Sequence, residues 1–146
     1  ALLGCAALFF AACNNTEKPA SAPDEKVQVL AKHRTIATYE GTQYRLCMGR
    51  TTLCPDRCGD SGEFARFKID QYTAFEKNSQ YGEKRDEFLI QVSDYNKKPI
   101  GDPAVSKTVQ SLKTGDKVTL WWDHLYVTKD GVSAPRYPLV KLEKLK

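Results

Sequence analysis

The sequence contains few of the groups on which most hydrolases and transferases depend. It has only two histidines, His33 and His124, and neither an HExxH nor a GxSxG motif occurs. A glycine-rich phosphate-binding loop is also missing. These absences argue against a zinc protease, a nucleophile-elbow hydrolase and a nucleotide-hydrolysing enzyme. We therefore predict that the protein is not an enzyme.

Charge and proline are missing from the first thirteen residues, which read ALLGCAALFFAAC. An ordinary transmembrane helix needs ~20 apolar residues, so this run is too short to span a bilayer. Its length and composition are typical of the apolar core of a secretory signal. We predict that residues 1–13 are a signal peptide.

The end of this apolar run, residues 9–13, reads FFAAC and resembles the lipobox of bacterial lipoprotein precursors. The resemblance implies cleavage before Cys13, whose thiol would carry the lipid. LLGC at residues 2–5 is a competing lipobox, but cleavage there would leave an apolar start. The resemblance implies a lipid-anchored protein in the cell envelope, facing the extracytoplasmic side. Asn14 favours the outer membrane, because the aspartate that retains lipoproteins at the inner membrane is absent.

Polar composition follows the signal. Residues 14–33 are rich in proline, alanine, serine and charge at their start and have no sustained apolar periodicity, so we predict a disordered tether. Residues 34–146 are enough for one domain with a single core. The net charge of +4 comes from bases interspersed with acids, which indicates a solvated surface and argues against a nucleic-acid partner.

Alternation of apolar and polar residues predicts five strands in this domain. The first strand is long, with Gly41 interrupting it as a β-bulge would. The five predicted strands cover residues 34–46, 65–69, 88–92, 118–127 and 139–145.

One helix is predicted between the third and fourth strands, over residues 103–112. Asp102 is a favourable N-cap and Pro103 is favourable at the first helical position. Gly115 lies just beyond the end, where helices commonly stop. This order of elements is that of an OB-fold, a partly open five-stranded barrel. We predict an all-β, OB-fold-like barrel with one helix.

The most chemically distinctive stretch runs from Cys47 to Gly59, CMGRTTLCPDRCG, and holds three of the five cysteines. An oxidising compartment makes a disulfide the default expectation. Closing the loop from Cys47 to Cys58 is worth about 3 kcal/mol, and closing that from Cys54 to Cys58 about 2 kcal/mol. We therefore predict a stabilising disulfide between Cys47 and Cys58, or between Cys47 and Cys54, with one thiol left free.

The alternative assigns Cys54 and Cys58 to chemistry. A helical turn opened by Pro55 would place both sulfurs on one face and lower the pKa of Cys54. CPDRC, residues 54–58, resembles the segment of Sco-type copper chaperones whose two cysteines, with a distant histidine, bind copper. The resemblance implies a copper site, and zinc is the other metal that suits thiolates.

His124 is the candidate histidine for such a metal site. It lies near the end of the fourth predicted strand, and in an OB barrel the loop after that strand flanks the same ligand face as the loop after the first. The metal hypothesis therefore comprises Cys47, Cys54, Cys58 and His124. The other interpretation is that His124 is a core residue that hydrogen-bonds to the backbone. This interpretation is favoured, because a single histidine without fixed spacing to other ligands is weak evidence for a metal site.

A ligand surface is the last candidate. Adjacent strand residues point to opposite faces, so one of Trp121 and Trp122 should be buried and the other displayed beside Asp123. Arg66 and Lys68 complete the predicted surface. The leading interpretation is a lipoprotein whose OB-like domain binds a protein, glycan or small ligand beside a disulfide-stabilised loop. A metal-handling or thiol-redox protein is the alternative.

Overall fold

The computed structural model describes residues 25–146, which form six strands and one helix. The predicted signal peptide, the lipidation site at Cys13 and the start of the tether lie outside these residues. The elements are β1 (Lys26–Arg45), β2 (Gly62–Lys77), β3 (Glu87–Gln91), α1 (Pro103–Ser111), β4 (Lys117–Lys129), β5 (Val132–Arg136) and β6 (Leu139–Lys144).

All six strands belong to one antiparallel sheet that curls into a half-barrel. The hydrogen-bonded path runs β3-β2-β1-β4-β5, and β6 pairs with β4 beside β5. The long strand β1 lies at the centre and pairs along most of its length with both β2 and β4. The prediction of an all-β, OB-like fold with one helix between the third and fourth strands is confirmed.

Strand β1 begins at Lys26, so the predicted tether over residues 14–33 is too long. Val27 pairs with Val127 and Val29 pairs with Leu125, which extends the sheet by eight residues before Arg34. Leu30 and Ala31 are then fully buried. Val27, Val29 and Leu30 form only a short apolar run, so the polar composition of residues 14–33 concealed a strand that depends on its pairing with β4.

Gly41 bends β1, as the sequence predicted. Its φ of +112° is disfavoured for residues with a side chain, and the register between β1 and β2 shifts between Tyr39 and Gly41. Two further register shifts, near Thr35 and Ala37, add to the curvature. The bend allows the single long strand β1 to follow the curvature of the half-barrel while it pairs with both β2 and β4.

Strand β5 was not predicted. Asp130 and Gly131, with φ of +51° and +77°, form a two-residue turn, and Lys129 pairs directly with Val132 beyond it. The turn was recognisable in the sequence. The strand after it was not, because it contains Pro135 and only one of its residues is even half-buried.

Helix α1 packs against one side of the barrel. The Asp102 side chain accepts a hydrogen bond of 2.8 Å from the backbone N–H of Ala104, the predicted N-cap contact. Val109 and Leu112 are buried in the same apolar cluster as Trp122. Within residues 25–146, no helix is long and apolar enough to cross a membrane.

Candidate metal centre

The cysteine segment is the loop that joins β1 to β2. Arg45 pairs with Gly62, so the loop leaves and returns at neighbouring points of the sheet. Its start is fixed by a hydrogen bond of 2.9 Å, which the backbone N–H of Cys47 donates to Ser61 Oγ. Its end is fixed by Gly62, where an added Cβ would lie 2.0 Å from the carbonyl oxygen of Ser93. The loop is thus held at both ends.

Within the loop the backbone forms successive turns. The N–H of Cys54 donates to Thr51 O at 3.2 Å, and the N–H of Arg57 donates to Leu53 O at 2.9 Å. The predicted helical turn opening at Pro55 is therefore replaced by a single α-turn that starts two residues earlier. These turns fold the middle of the loop back over Cys47.

The folding of the loop brings its three sulfurs together. The Sγ atoms of Cys47, Cys54 and Cys58 all lie within 4.8 Å of one another. Cys47 Sγ and Cys54 Sγ form the closest described contact, at 2.7 Å. Cys47 is buried, whereas Cys54 and Cys58 are half-buried and accessible from the loop surface.

All three cysteines are free thiols in this structure. A disulfide has an S–S distance of about 2.05 Å, shorter than the closest contact here. The bridge between Cys47 and Cys58 or Cys54 stays a prediction for the exported protein. Of the two partners named for Cys47, the structure places Cys54 nearer.

Hydrogen bonding gives the sulfurs different acidities. The hydrogen-bond contact between Cys47 Sγ and Cys54 Sγ, with a second contact between Thr51 Oγ1 and Cys54 Sγ at 3.6 Å, lowers the pKa of Cys54 to about 6 against the effect of burial. The same contact, together with burial, raises the pKa of Cys47 to about 12. The sequence predicted a lowered pKa for Cys54 from a helical turn, whereas the cause here is the neighbouring thiol.

His124 does not join the cysteines, so its assignment to the metal site is wrong. It pairs with Ala31 on β1, fourteen residues before Arg45, where the loop begins. Its ring stacks on Tyr137 with centroids 4.5 Å apart, and it is buried. β4 runs antiparallel to β1, so the end of β4 lies beside the start of β1 and away from the cysteine loop.

The predicted ligand surface is divided. Trp122 is fully buried and Trp121 faces outward, as the alternation predicted. The Arg34 guanidinium lies 4.7 Å from the Trp121 ring centroid and Lys141 Nζ lies 5.0 Å from it. These cations come from the strands on either side of β4, which leaves little of the ring available for stacking.

Arg66 and Lys68 lie elsewhere on the outer face. Arg66 Nε is 3.0 Å from carboxylate oxygens of both Glu40 and Glu87, and Lys68 pairs with Thr38. Trp121 instead neighbours Arg34, which pairs with a more distant part of β2. The four residues therefore do not form one surface.

A groove beside the cysteines was not predicted. Its volume is about 450 Å³, and Cys47 contributes to its wall. It is lined by Arg45, Leu46, Cys47, Met48, Arg50, Asp60 and Phe64. The two arginines flank Cys47 in the sequence, which was the available signal. No family model, curated protein or solved structure matches the chain.

Proposed function

We propose that the protein is an exported, lipid-anchored OB-like domain that binds a soft metal ion, Cu(I) or zinc, through Cys47, Cys54 and Cys58. The observation that carries the proposal is the convergence of all three sulfurs within 4.8 Å. Two sulfurs on one zinc ion lie at most ~4.6 Å apart, given a Zn–S distance of about 2.3 Å. Only small side-chain movements separate this cluster from a ligand set.

The donor set favours particular metals. Thiolates select Cu(I) and zinc over hard ions such as calcium or magnesium. Zinc usually takes four ligands, so three thiolates would leave a position for water or an incoming ligand. Cys54 and Cys58 are half-buried at the loop surface, where such an exchange is possible. We propose that the ion is held for transfer, with no catalytic role.

The predicted location of the protein in the cell envelope also supports this proposal, and it is inferred from the sequence alone. The lipobox-like residues 9–13 favour lipid attachment at Cys13, in the cell envelope, on the extracytoplasmic side of the membrane. If Cys13 carries lipid and Cys5 is removed, all remaining cysteines belong to the loop. A domain tethered in this way would hold its metal near the membrane surface.

A second candidate is a binding domain whose loop is stabilised by a disulfide. It is favoured by the 2.7 Å contact between Cys47 Sγ and Cys54 Sγ and by the oxidising compartment. A protein, glycan or small ligand would then bind beside the loop, in the groove that includes Arg45 and Arg50. This candidate needs no metal and leaves Cys58 as a free thiol.

Metal titration of the reduced full-length chain in detergent tests the first proposal. We expect one Cu(I) or one zinc ion per chain, with affinity falling at least about 100-fold in Cys54→Ser and Cys58→Ser. His124→Gln is the matched control, because His124 on β4 pairs with Ala31 near the start of β1, far from the cysteine loop. The metal affinity of this variant should equal that of the wild type. Absence of stoichiometric binding by the fully reduced chain would refute the proposal.

A further inference from the structure

We propose that the same loop reduces negatively charged disulfide compounds by thiol–disulfide exchange. Cys54 is the attacking thiol, and Cys47 is the thiol that completes the exchange. This inference uses the three thiols of the proposed metal site, but it does not require that metal binds. It assigns the cysteines separate roles. Cys58 takes no part in the exchange.

The order of attack follows from exposure. Cys54 is half-buried in the loop, whereas only 6% of the Cys47 surface is exposed. An incoming disulfide therefore reaches Cys54 first. Cys47 Sγ lies 2.7 Å from Cys54 Sγ, in position for the second step without backbone rearrangement. Cys58 Sγ is instead engaged with backbone, donating to Pro55 O at 3.7 Å and accepting from Asp60 N–H at 3.4 Å.

A thiol must be reachable by the incoming compound before its thiolate can attack a disulfide. Cys54 meets this condition at the loop surface, whereas the buried Cys47 does not. Cys47 can therefore react only with the sulfur it already contacts, Cys54 Sγ.

Charge beside the loop selects the partner compound. Arg45 and Arg50 line the groove that Cys47 adjoins, and within residues 25–146 neither makes a salt bridge. Among the residues that the structure describes, Asp60 is the only acid in the groove wall, which therefore keeps net positive charge. Arginine guanidinium groups suit carboxylates. A disulfide that carries carboxylates fits this environment better than a cationic one.

The exchange balances as two substitutions. The Cys54 thiolate attacks RSSR, one S–S bond breaks, and RS⁻ leaves as the mixed disulfide Cys54–S–SR forms. Cys47 then loses its proton to the departing thiolate or to water and attacks Cys54 Sγ, which releases the second RS⁻. The protein is oxidised by two electrons to the Cys47–Cys54 disulfide, and RSSR is reduced to two RSH. The oxidised loop lacks two of the three metal ligands.

Oxidised glutathione and cystamine are suitable probes, since the first is anionic and the second cationic. We would mix each with the reduced, metal-free full-length chain, quench by alkylation and map the products by peptide mass spectrometry. We expect a Cys47–Cys54 disulfide with alkylated Cys58. Cys47→Ser should instead accumulate a mixed disulfide on Cys54. The preference is the ratio of the reaction rate with oxidised glutathione to that with cystamine. This ratio should be about tenfold higher for the folded chain than for the same chain in denaturant.

Charge variants test the groove. Arg45→Gln combined with Arg50→Gln should abolish the preference for the anionic disulfide, and added salt should reduce it in the wild type. Arg57→Gln is the matched control, because Arg57 is exposed and lies outside the groove. A mixed disulfide formed on Cys58 in Cys47→Ser, a product bridge that includes Cys58, or equal rates for both probes would overturn the inference.

Metal titration of the same preparation separates the two proposals. A Cys47–Cys54 disulfide in a chain that binds no metal would refute the metal site and leave the exchange intact. A chain that binds one metal ion but forms no such disulfide would refute the exchange alone. A metal-loaded chain should react more slowly than the metal-free chain, since the ion occupies the attacking thiolate.

Discussion

At the scale of single residues, His33 has the most unusual environment. Its ring stacks on Trp122, with centroids 3.6 Å apart and an interplanar angle of 5°, and only 3% of its surface is exposed. Neither ring nitrogen has a hydrogen-bond partner among the described residues. Burial, and then the nearby His124, lower the pKa of His33 to about 4. The folded protein therefore holds this histidine neutral.

Acid should destabilise the fold through His33. The unfolded chain takes up a proton below pH ~6.5, whereas the folded chain takes it up only near pH 4, so stability falls as pH drops through this window. The loss from His33 approaches roughly 3 kcal/mol below pH 4. Urea unfolding between pH 7 and pH 4 measures it. His33→Phe, which keeps the aromatic stacking, should show a shallower dependence.

Carboxylates also lose stabilising contacts in acid. Burial raises the pKa of Asp70, but its contacts with Lys117 and other partners outweigh this effect and lower the pKa overall. The test is therefore the difference between the wild type and His33→Phe. A second measurement covers the case in which the variant does not fold. The ring protons of His33 in NMR spectra should show no titration above pH 5, and titration near pH 6.5 would contradict the account.

Gly62 should tolerate no side chain. Its φ of +143° and the 2.0 Å approach of Ser93 O to a built Cβ leave no room. We expect Gly62→Ala to lower the free energy of unfolding by at least about 2 kcal/mol. Gly101→Ala is the control, because Gly101 also has positive φ but no atom within 4 Å, and it should cost about 1 kcal/mol. Equal costs in urea unfolding would contradict this.

The sequence drew attention to the three cysteines that cluster but did not give their arrangement. Three cysteines within twelve residues are visible without a structure, and so is their suitability for metal or disulfide. Which sulfurs approach depends on the turns between Thr51 and Arg57. The exclusion of His124 depends on the pairing of β4 with β1. Both are determined by contacts that residue spacing does not specify.

At the scale of elements, the sequence predicted the boundaries that local residues determine, but not those that depend on strand pairing. Helix α1 was predicted to within one residue, because Asp102 and Pro103 mark its start chemically, although its C-cap is Leu112 rather than a residue next to Gly115. The bulge at Gly41 was found for the same reason. The early start of β1 and the whole of β5 depend on pairing with β4, and the only local signals for them are a short apolar run at Val27 to Leu30 and the turn at Asp130 and Gly131.

The N-cap of α1 offers a test at this scale. Asp102→Ala removes the acceptor of the Ala104 N–H and should lower the free energy of unfolding by about 1 kcal/mol. Asp102→Asn should retain most of the stability, since asparagine caps nearly as well. Urea unfolding of the three proteins measures this. An alanine variant as stable as the wild type would show that the cap contributes nothing.

At the scale of the whole molecule, the half-barrel separates two groups of polar residues. The cysteine loop follows the end of β1, whereas His33 and His124 line the interior near its start. The loop is therefore free to change its thiol chemistry without disturbing the aromatic cluster around Trp122. In the part of the chain that the structure describes, the three loop thiols and the aromatic core therefore occupy different regions.

Processing is a prediction for the whole chain that depends on the sequence alone. The mature protein should begin at Cys13 and partition into detergent, because lipid on this residue would anchor it. Intact-protein mass spectrometry and detergent phase separation measure both. Cys13→Ser should give an uncleaved or mislocalised protein. A mature N-terminus at another residue would refute the assignment.

The most direct test of the metal site is the state of the loop in protein isolated natively from the envelope without reductant. Native mass spectrometry, with alkylation before and after chelation, would report both metal and thiols. The account predicts one Cu(I) or zinc ion per chain, and protection of Cys47, Cys54 and Cys58 from alkylation until the metal is removed. A metal-free chain with Cys47 in a disulfide and one freely alkylated thiol, which still binds no Cu(I) or zinc after full reduction, would contradict it.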